Sequence, residues 1–203
     1  MVIGISGKLG SGKDLAADLI KTLIQENSNR KVFKHDFAKP LKRVVAEIVG
    51  CHWNKLYSRE GKLEALPEGL QTASMKTYRD MLQQVGSAFK TIDPDFFVKA
   101  LFNNFEADAK LGVVIVTDVR FPNELESIQR VGGKVIRLRS EVSEERHDWM
   151  HESETALDKA EILESFDAIV DNSRKGREAL SPSDSRDAFK HRIEQALKQL
   201  NII

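Results

Sequence analysis

The stretch VIGISGKLGSGKDLAADLI, residues 2–20, decides how the rest of the chain is read. Residues 1–5 are a short apolar run with the length of a buried strand. From Lys13 onward Leu15, Ala16, Leu19, Ile20, Leu23 and Ile24 recur at helical spacing. Between the two lies GKLGSGKD, residues 7–14, which matches the GxxxxGK pattern of a phosphate-binding loop, except that Asp14 stands where Ser or Thr would ligate magnesium. By composition alone such a match arises in about one chain in twenty of this length, so context has to decide. A strand before and an amphipathic helix after give the geometry that turns successive backbone N–H groups and the helix dipole toward a phosphate. Gly7, Gly10 and Gly12 let the backbone approach closely, Lys8 and Ser11 belong to the same loop, and Lys13 can reach the β and γ phosphates. The bland alternative is a glycine turn with a surface lysine. Asp14 has two readings: it holds a magnesium-bound water, or it only stabilises the helix N-terminus electrostatically.

The whole chain sets outer bounds. At 203 residues it can bury one sizeable core, so one compact unit is expected. Lys plus Arg and Asp plus Glu both number 31, which leaves no bulk field to attract a nucleic-acid polymer or an anionic membrane. Any anion binding must therefore be local. The single Cys51 excludes an internal disulfide and suits a reducing compartment. No basic leader precedes the first apolar run, and runs such as VVIV, 113–116, are too short to span a bilayer. A cytoplasmic protein is expected.

Strand and helix patterns then alternate. Lys31–His35 fits a strand, and Pro40 sits in the first turn of a helix carrying Leu41, Val44, Val45 and Ile48, with Gly50 as its stop. Residues 51–76 show no clear period and read as a surface excursion or substrate flap. Tyr78, Met81, Leu82, Val85 and Phe89 line one helix face; Asp93 and Pro94 open another helix with Phe97, Val98, Leu101 and Phe105. GVVIVTD, 112–118, is a β-branched run typical of a strand covered on both faces. Pro122 starts a helix that Gly132 and Gly133 end, KVIRLR and FDAIVD make two further strands, and a closing helix holds Phe189, Ile193, Ala196, Leu197 and Leu200. This order predicts an α/β fold with a parallel sheet, and ligands in such sheets gather at the carboxyl ends of strands. Those ends carry residues 7–14, Asp36, Asp118 with Arg120, Arg139 and Asn172.

TDVRFPNELESI, 117–128, is the second signature. Strand alternation places Asp118 and Arg120 on one face, the acid as a candidate for magnesium-water coordination and the arginine as a clamp for phosphate oxygens. A structural ion pair at the strand mouth is the alternative. A hydroxyl acceptor would need a general base, whereas a phosphate acceptor is already an anion near neutral pH. The work is then to neutralise two crowded phosphates, which calls for cations from several segments. Candidates are Lys42, Arg79, Arg120, and Arg139 or Arg146, and HESETALD adds His151 and Glu154. A zinc site is not expected with so few Cys and His in ligand spacing.

Taken together, SGKLGSGKD, HDFAKPLK, TYRDMLQQVG, IDPDFFVKAL, TDVRFPNE, HESETALD and FDAIVDN resemble the deoxynucleoside monophosphate kinases of bacteriophages, in order across nearly the whole chain. A weaker likeness to animal-type phosphomevalonate kinases runs through GK-D, PLK, DVR and SExxLD. The resemblance implies a three-layer P-loop NTPase fold, with a five-stranded parallel sheet, helices on both faces, a lid and an acceptor-binding insert. It also makes Asp14 a trait of the family. On it, residues 1–203 form one kinase domain, with 51–110 as the acceptor-binding helical region and 139–158 as the lid segment. Residues 7–14 with Asn172 near the adenine would hold ATP. Asp36, Lys42, Arg79, Gln83, Arg120, Arg146, His151 and Glu154 would surround the deoxynucleoside monophosphate. Lys13, Asp118, Arg120 and Arg139 would act on the transferred phosphoryl group, with Mg2+ held through water by Asp14 and Asp118. The likeness further suggests a homodimer. Ser87, Lys90 and Phe97 depart from the family pattern, which bears on the acceptor more than on the reaction type. Other phosphate acceptors, such as phosphomevalonate or dephospho-coenzyme A, and a non-catalytic ATP-binding switch are the rival readings.

Overall fold

The computed structural model describes residues 1–140, 152–173 and 182–203. The elements follow the order the patterns predict. Strands β1 (Val2–Ser6), β2 (Lys31–His35), β3 (Gly112–Val119), β4 (Lys134–Arg139) and β5 (Ala168–Asp171) form one sheet in the order β2-β3-β1-β4-β5. Every neighbouring pair is parallel. All five carboxyl ends therefore lie along one edge of the sheet. The helices are α1 (Lys13–Asn27), α2 (Lys39–Val49), α3 (Arg59–Leu63), α4 (Tyr78–Ile92), α5 (Phe96–Leu111), α6 (Pro122–Arg130), α7 (Glu152–Thr155), α8 (Ala160–Leu163) and α9 (Pro182–Gln199).

The alternation of side chains along β1 separates the two layers that cover the sheet. Ile3 and Ile5 join Ile115, Ile136, Leu138 and Val170 in a core closed by Ala16, Ile20, Leu23 and Ile24 of α1 and by Phe189, Ile193 and Leu197 of α9. Gly4 faces the opposite layer, where a Cβ would come within 2.8 Å of Cδ1 of Ile128 on α6. A methyl group there would displace that side-chain tip and press on Val119 and Val135, so the glycine makes room for close packing on this face of the strand. Among the described residues, no helix is long and apolar enough to cross a membrane.

The chain packs as two units, Met1–Asp36 with Asn104–Ile203, and Phe37–Asn103. The second has its own small core of Val45, Ala46, Leu56, Leu66, Tyr78 and Met81. Two expectations change here. On α2 the buried residues are Val45 and Ala46, with Leu41 and Val49 partly covered, while Val44 and Ile48 are 39% and 52% exposed. Apolar residues occur around much of this helix, so periodicity located it without fixing which stripe packs. Residues 51–76 are also more ordered than a surface excursion. They form 3-10 turns at Trp53–Tyr57 and Glu68–Leu70, helix α3, and an antiparallel bridge from Ala65 to Thr77. The Ser58 hydroxyl caps α3 by accepting the Gly61 N–H at 2.9 Å, and Leu56 and Leu66 are buried. Turns this short leave no repeat for a sequence pattern to reveal.

One half-buried acid pins the start of β4. Asp167 accepts the Val135 N–H at 2.8 Å, the Gln129 amide at 3.1 Å and the Lys134 ammonium at 2.9 Å. Burial alone would push its carboxyl upward, but these donors together hold it below the ordinary value. A carboxyl lowered on folding stabilises above its unfolded value near 3.9, and loses that contribution as pH falls through the lower native value. Asp167→Asn is therefore expected to cost about 1–2 kcal/mol at neutral pH. Urea denaturation of both proteins should show the gap closing below about pH 3.9. A gap independent of pH would contradict this account.

Candidate active site

The loop after β1 is built by glycines that no other residue can replace without rearrangement. Gly10 and Gly12 have φ of 83° and 90°, in the left-handed region. A Cβ on Gly7 would collide with Oγ of Ser11, and one on Gly12 would stand 2.7 Å from Nδ2 of Asn172. The turn closes with Ser11 N–H donating to the Lys8 carbonyl at 3.1 Å. Lys13, the first residue of α1, folds back so that Nζ donates to the carbonyls of Gly7 at 2.6 Å and Lys8 at 2.9 Å. Its ammonium thus sits over the loop that precedes it. Gly12 is the N-cap of α1 and brings no capping side chain, so the first turn offers its N–H groups to an anion. Asp14 lies in that turn and is exposed. Ser11 Oγ is fully buried and meets no hydrogen-bond partner.

Asn172, just beyond β5, joins this assembly. Its N–H donates to the Arg139 carbonyl at 2.8 Å, and its side-chain amide donates to the Ser11 carbonyl at 3.1 Å. The side chain therefore packs on the loop backbone, a placement that spacing along the chain could not reveal.

The second signature lies one strand away. Ser6 is opposite Val119 and Gly4 opposite Val116, so β3 carries one more residue than β1 across this interval. The extra residue falls at Thr117–Asp118, a bulge of the kind that re-aims side chains at strand ends. Arg120 then follows Val119 as Gly7 follows Ser6. Its backbone N–H donates to the Glu124 carboxylate at 2.7 Å, and the Phe121 N–H donates to the same oxygen at 3.1 Å. Glu124 is buried and holds the turn into α6, half of a capping box. Sequence reading passed over Glu124, although an acid three residues after a helix start is the signal for this role.

Arg137 was also passed over. KVIRLR places Arg137 and Arg139 on one face of β4, yet Arg137 is buried and Arg139 exposed. Arg137 stands opposite Ser6 in the ladder and donates from Nη1 to the Ser6 hydroxyl at 2.9 Å. Nη2 donates to Asp158 Oδ1 at 2.6 Å, and the guanidinium lies 5.7 Å from the centre of the Phe166 ring. The other Asp158 oxygen pairs with Lys8 Nζ at 2.9 Å.

The remaining candidates fall in several places. Asp36 is buried at the end of β2, next to β3 along the same sheet edge. Lys42, Arg79 and Gln83 belong to the second unit. There Lys42 Nζ sits 3.6 Å over the Tyr57 ring, and Arg79 and Gln83 are one turn apart on α4. The start of α4 is fixed by Thr77 Oγ1 accepting the Asp80 N–H at 3.2 Å and by Asp80 accepting the Thr77 N–H at 2.9 Å. Burial raises the Asp80 carboxyl, but the Lys76 and Thr77 donors and the neighbouring Arg79 charge bring it below its usual range. Arg146, His151 and the side chain of Glu154 lie outside the described residues, as does most of the expected lid.

Among the described residues, no group of three or more His, Cys, Asp or Glu is placed to hold a metal unaided. Magnesium suits this arrangement all the same, because it binds through one or two carboxylates and takes its other oxygens from phosphates and water. Asp14 in the first turn of α1 and Asp118 near the end of β3 are the carboxylates that could hold it.

The family model for phosphomevalonate kinase matches residues 5–133, well over half of the chain and inclusive of the loop, β3 and the DVR turn. The chain belongs to the phosphomevalonate kinase family. It is thus a P-loop kinase by descent, with Arg137, Asp158 and Asn172 beyond the part the family model covers. It is also similar to a viral protein from Acanthamoeba polyphaga mimivirus named "Putative deoxynucleotide monophosphate kinase". The two are 27% identical over 187 residues, 86% of this chain and 89% of that one. Of solved structures, shikimate kinase from Bacteroides thetaiotaomicron is 16% identical, with a TM-score of 0.46 and 98% of each chain covered. An unliganded sugar kinase from Janibacter sp. HTCC2649 is 17% identical, with a TM-score of 0.36 and 99% and 94% covered. Both likenesses are loose; the parallel sheet and the family match define this kinase fold.

Proposed function

We propose that this member of the phosphomevalonate kinase family transfers the γ-phosphoryl group of ATP to a 2′-deoxynucleoside 5′-monophosphate, giving ADP and the deoxynucleoside diphosphate. The observation that carries the reading is the glycine loop with Lys13 folded over it, one strand from Asp118 and Arg120 on the same sheet edge. In this reading residues 7–14 receive the donor phosphates on their N–H groups. Lys13 neutralises the oxygens of the migrating group, and Arg120 does so from the β3 side. The acceptor's phosphate attacks as an anion and needs no general base. Bound magnesium, held through water by Asp14 and Asp118, would supply charge neutralisation at the donor phosphates. Asn172, whose side-chain amide donates to the Ser11 carbonyl, would lie near the adenine in this reading.

A second acceptor has specific support. The family match favours phosphomevalonate, while the mimivirus relative favours a deoxynucleotide. ADP formation measured with Mg-ATP against the four deoxynucleoside monophosphates, their ribose counterparts and phosphomevalonate separates them. Turnover above the water rate with at least one deoxynucleotide supports the proposal. Stimulation by phosphomevalonate alone replaces it, and stimulation by no acceptor leaves an ATP-binding switch.

A further inference from the structure

Lys8 is the second lysine of the phosphate loop, and its ammonium is paired to a carboxylate that is itself anchored. Asp158 receives Lys8 on one oxygen at 2.9 Å and Arg137 on the other at 2.6 Å. Arg137 is buried, and its other terminal nitrogen holds the hydroxyl of Ser6, the last residue of β1. The chain of contacts therefore starts and ends on the polypeptide that enters the loop. Asp158 is firmly placed as well: its N–H donates to the Thr155 carbonyl at 3.0 Å, and Leu157 beside it is buried.

A buried guanidinium needs acceptors on its donors, and Ser6 and Asp158 supply two of them. A carboxylate has room for several donors, so the Arg137 bond does not exclude Lys8. Two cations sharing one carboxylate leave a net charge of +1 at the loop. The Lys8 side chain is about one-third exposed at 29%. An ammonium has three N–H bonds, so one can remain on Asp158 while others meet phosphate oxygens. A lysine held this way has already lost rotamer freedom that a free surface lysine would lose on gripping a ligand.

We infer that Asp158, anchored by Arg137, is a positioning residue that sets the Lys8 ammonium at the phosphate loop as a pre-placed second cation for the donor polyphosphate. The inference rests on the proposed binding of ATP at this loop. It is independent of which acceptor is used.

Calorimetric titration of Mg-ATP into the full chain tests it, using Asp158→Asn, Lys8→Met and the double variant. Each single change is expected to weaken Kd by about threefold to tenfold, Lys8→Met by removing the ammonium and Asp158→Asn by releasing it from its placement. Adding Asp158→Asn to Lys8→Met should then change Kd by less than about twofold. In steady-state assays KM for ATP rises with kcat nearly constant, which loss of fold stability alone would not produce. An unchanged or tighter Kd in Asp158→Asn overturns the inference, as do additive effects in the double variant. If Asp158→Asn does not fold, Lys8→Arg against Lys8→Met decides: the arginine should keep the wild-type Kd and the methionine lose it, and equal values for the two overturn the inference. Wild-type protein that binds Mg-ATP but phosphorylates no deoxynucleotide sinks the acceptor assignment alone. Wild-type protein that does not bind Mg-ATP sinks both.

Discussion

Lys13→Ala is expected to lower kcat for phosphoryl transfer by roughly a thousandfold, about 4 kcal/mol of transition-state stabilisation. The ammonium is held over the loop by two backbone carbonyls before any ligand arrives. In the proposed reaction its charge would act on the migrating phosphoryl group with little reorganisation, which is the condition under which an electrostatic contact is worth most. The replacement should leave the fold intact, because position 13 opens α1 and alanine has the highest helix propensity. Initial rates of ADP formation at saturating acceptor, with thermal melts of both proteins as control, give the measurement. A variant that keeps activity within tenfold while folding normally would remove Lys13 from the chemistry.

Arg120→Ala is expected to lower kcat/KM by about a hundredfold or more, and Arg120→Lys to restore only part of the loss. Lysine carries the charge but lacks the planar fork that meets two phosphate oxygens at once. The backbone at this position is fixed by the buried Glu124 carboxylate, which holds the Arg120 and Phe121 N–H groups. The side chain therefore leaves a defined point at the end of β3, beside the loop that follows β1. The same variants settle the other reading of TDVRF. A structural ion pair would show as a lower melting temperature with kcat/KM nearly unchanged, in both the alanine and the lysine protein.

Much of this architecture was legible in the residues. The strand and helix periods of residues 1–24 found β1 and α1, because burial on both sheet faces and on one helix face imposes those repeats directly. The runs GVVIVTD and KVIRLR found β3 and β4 for the same reason. The phosphate loop was visible because its backbone turns demand glycine at fixed offsets, as Gly10 and Gly12 now bear out with positive φ. The short helical turns between residues 51 and 76 were not legible. Their order comes from Leu56 and Leu66 entering a core made by distant parts of the second unit.

The residues that position the loop were hidden for another reason. Arg137 and Arg139 look alike in KVIRLR, yet one bridges Ser6 and Asp158 while the other is exposed. Asn172 gave no sign that its amide would reach the Ser11 carbonyl, 161 positions away in the chain. Local sequence by itself determined the principal strands and helices and the glycine loop, since each depends on spacing within a few turns of chain. Only the tertiary structure decided which cations and carboxylates stand against that loop. Pairing across strands depends on register, and register is fixed by the packing of the whole sheet.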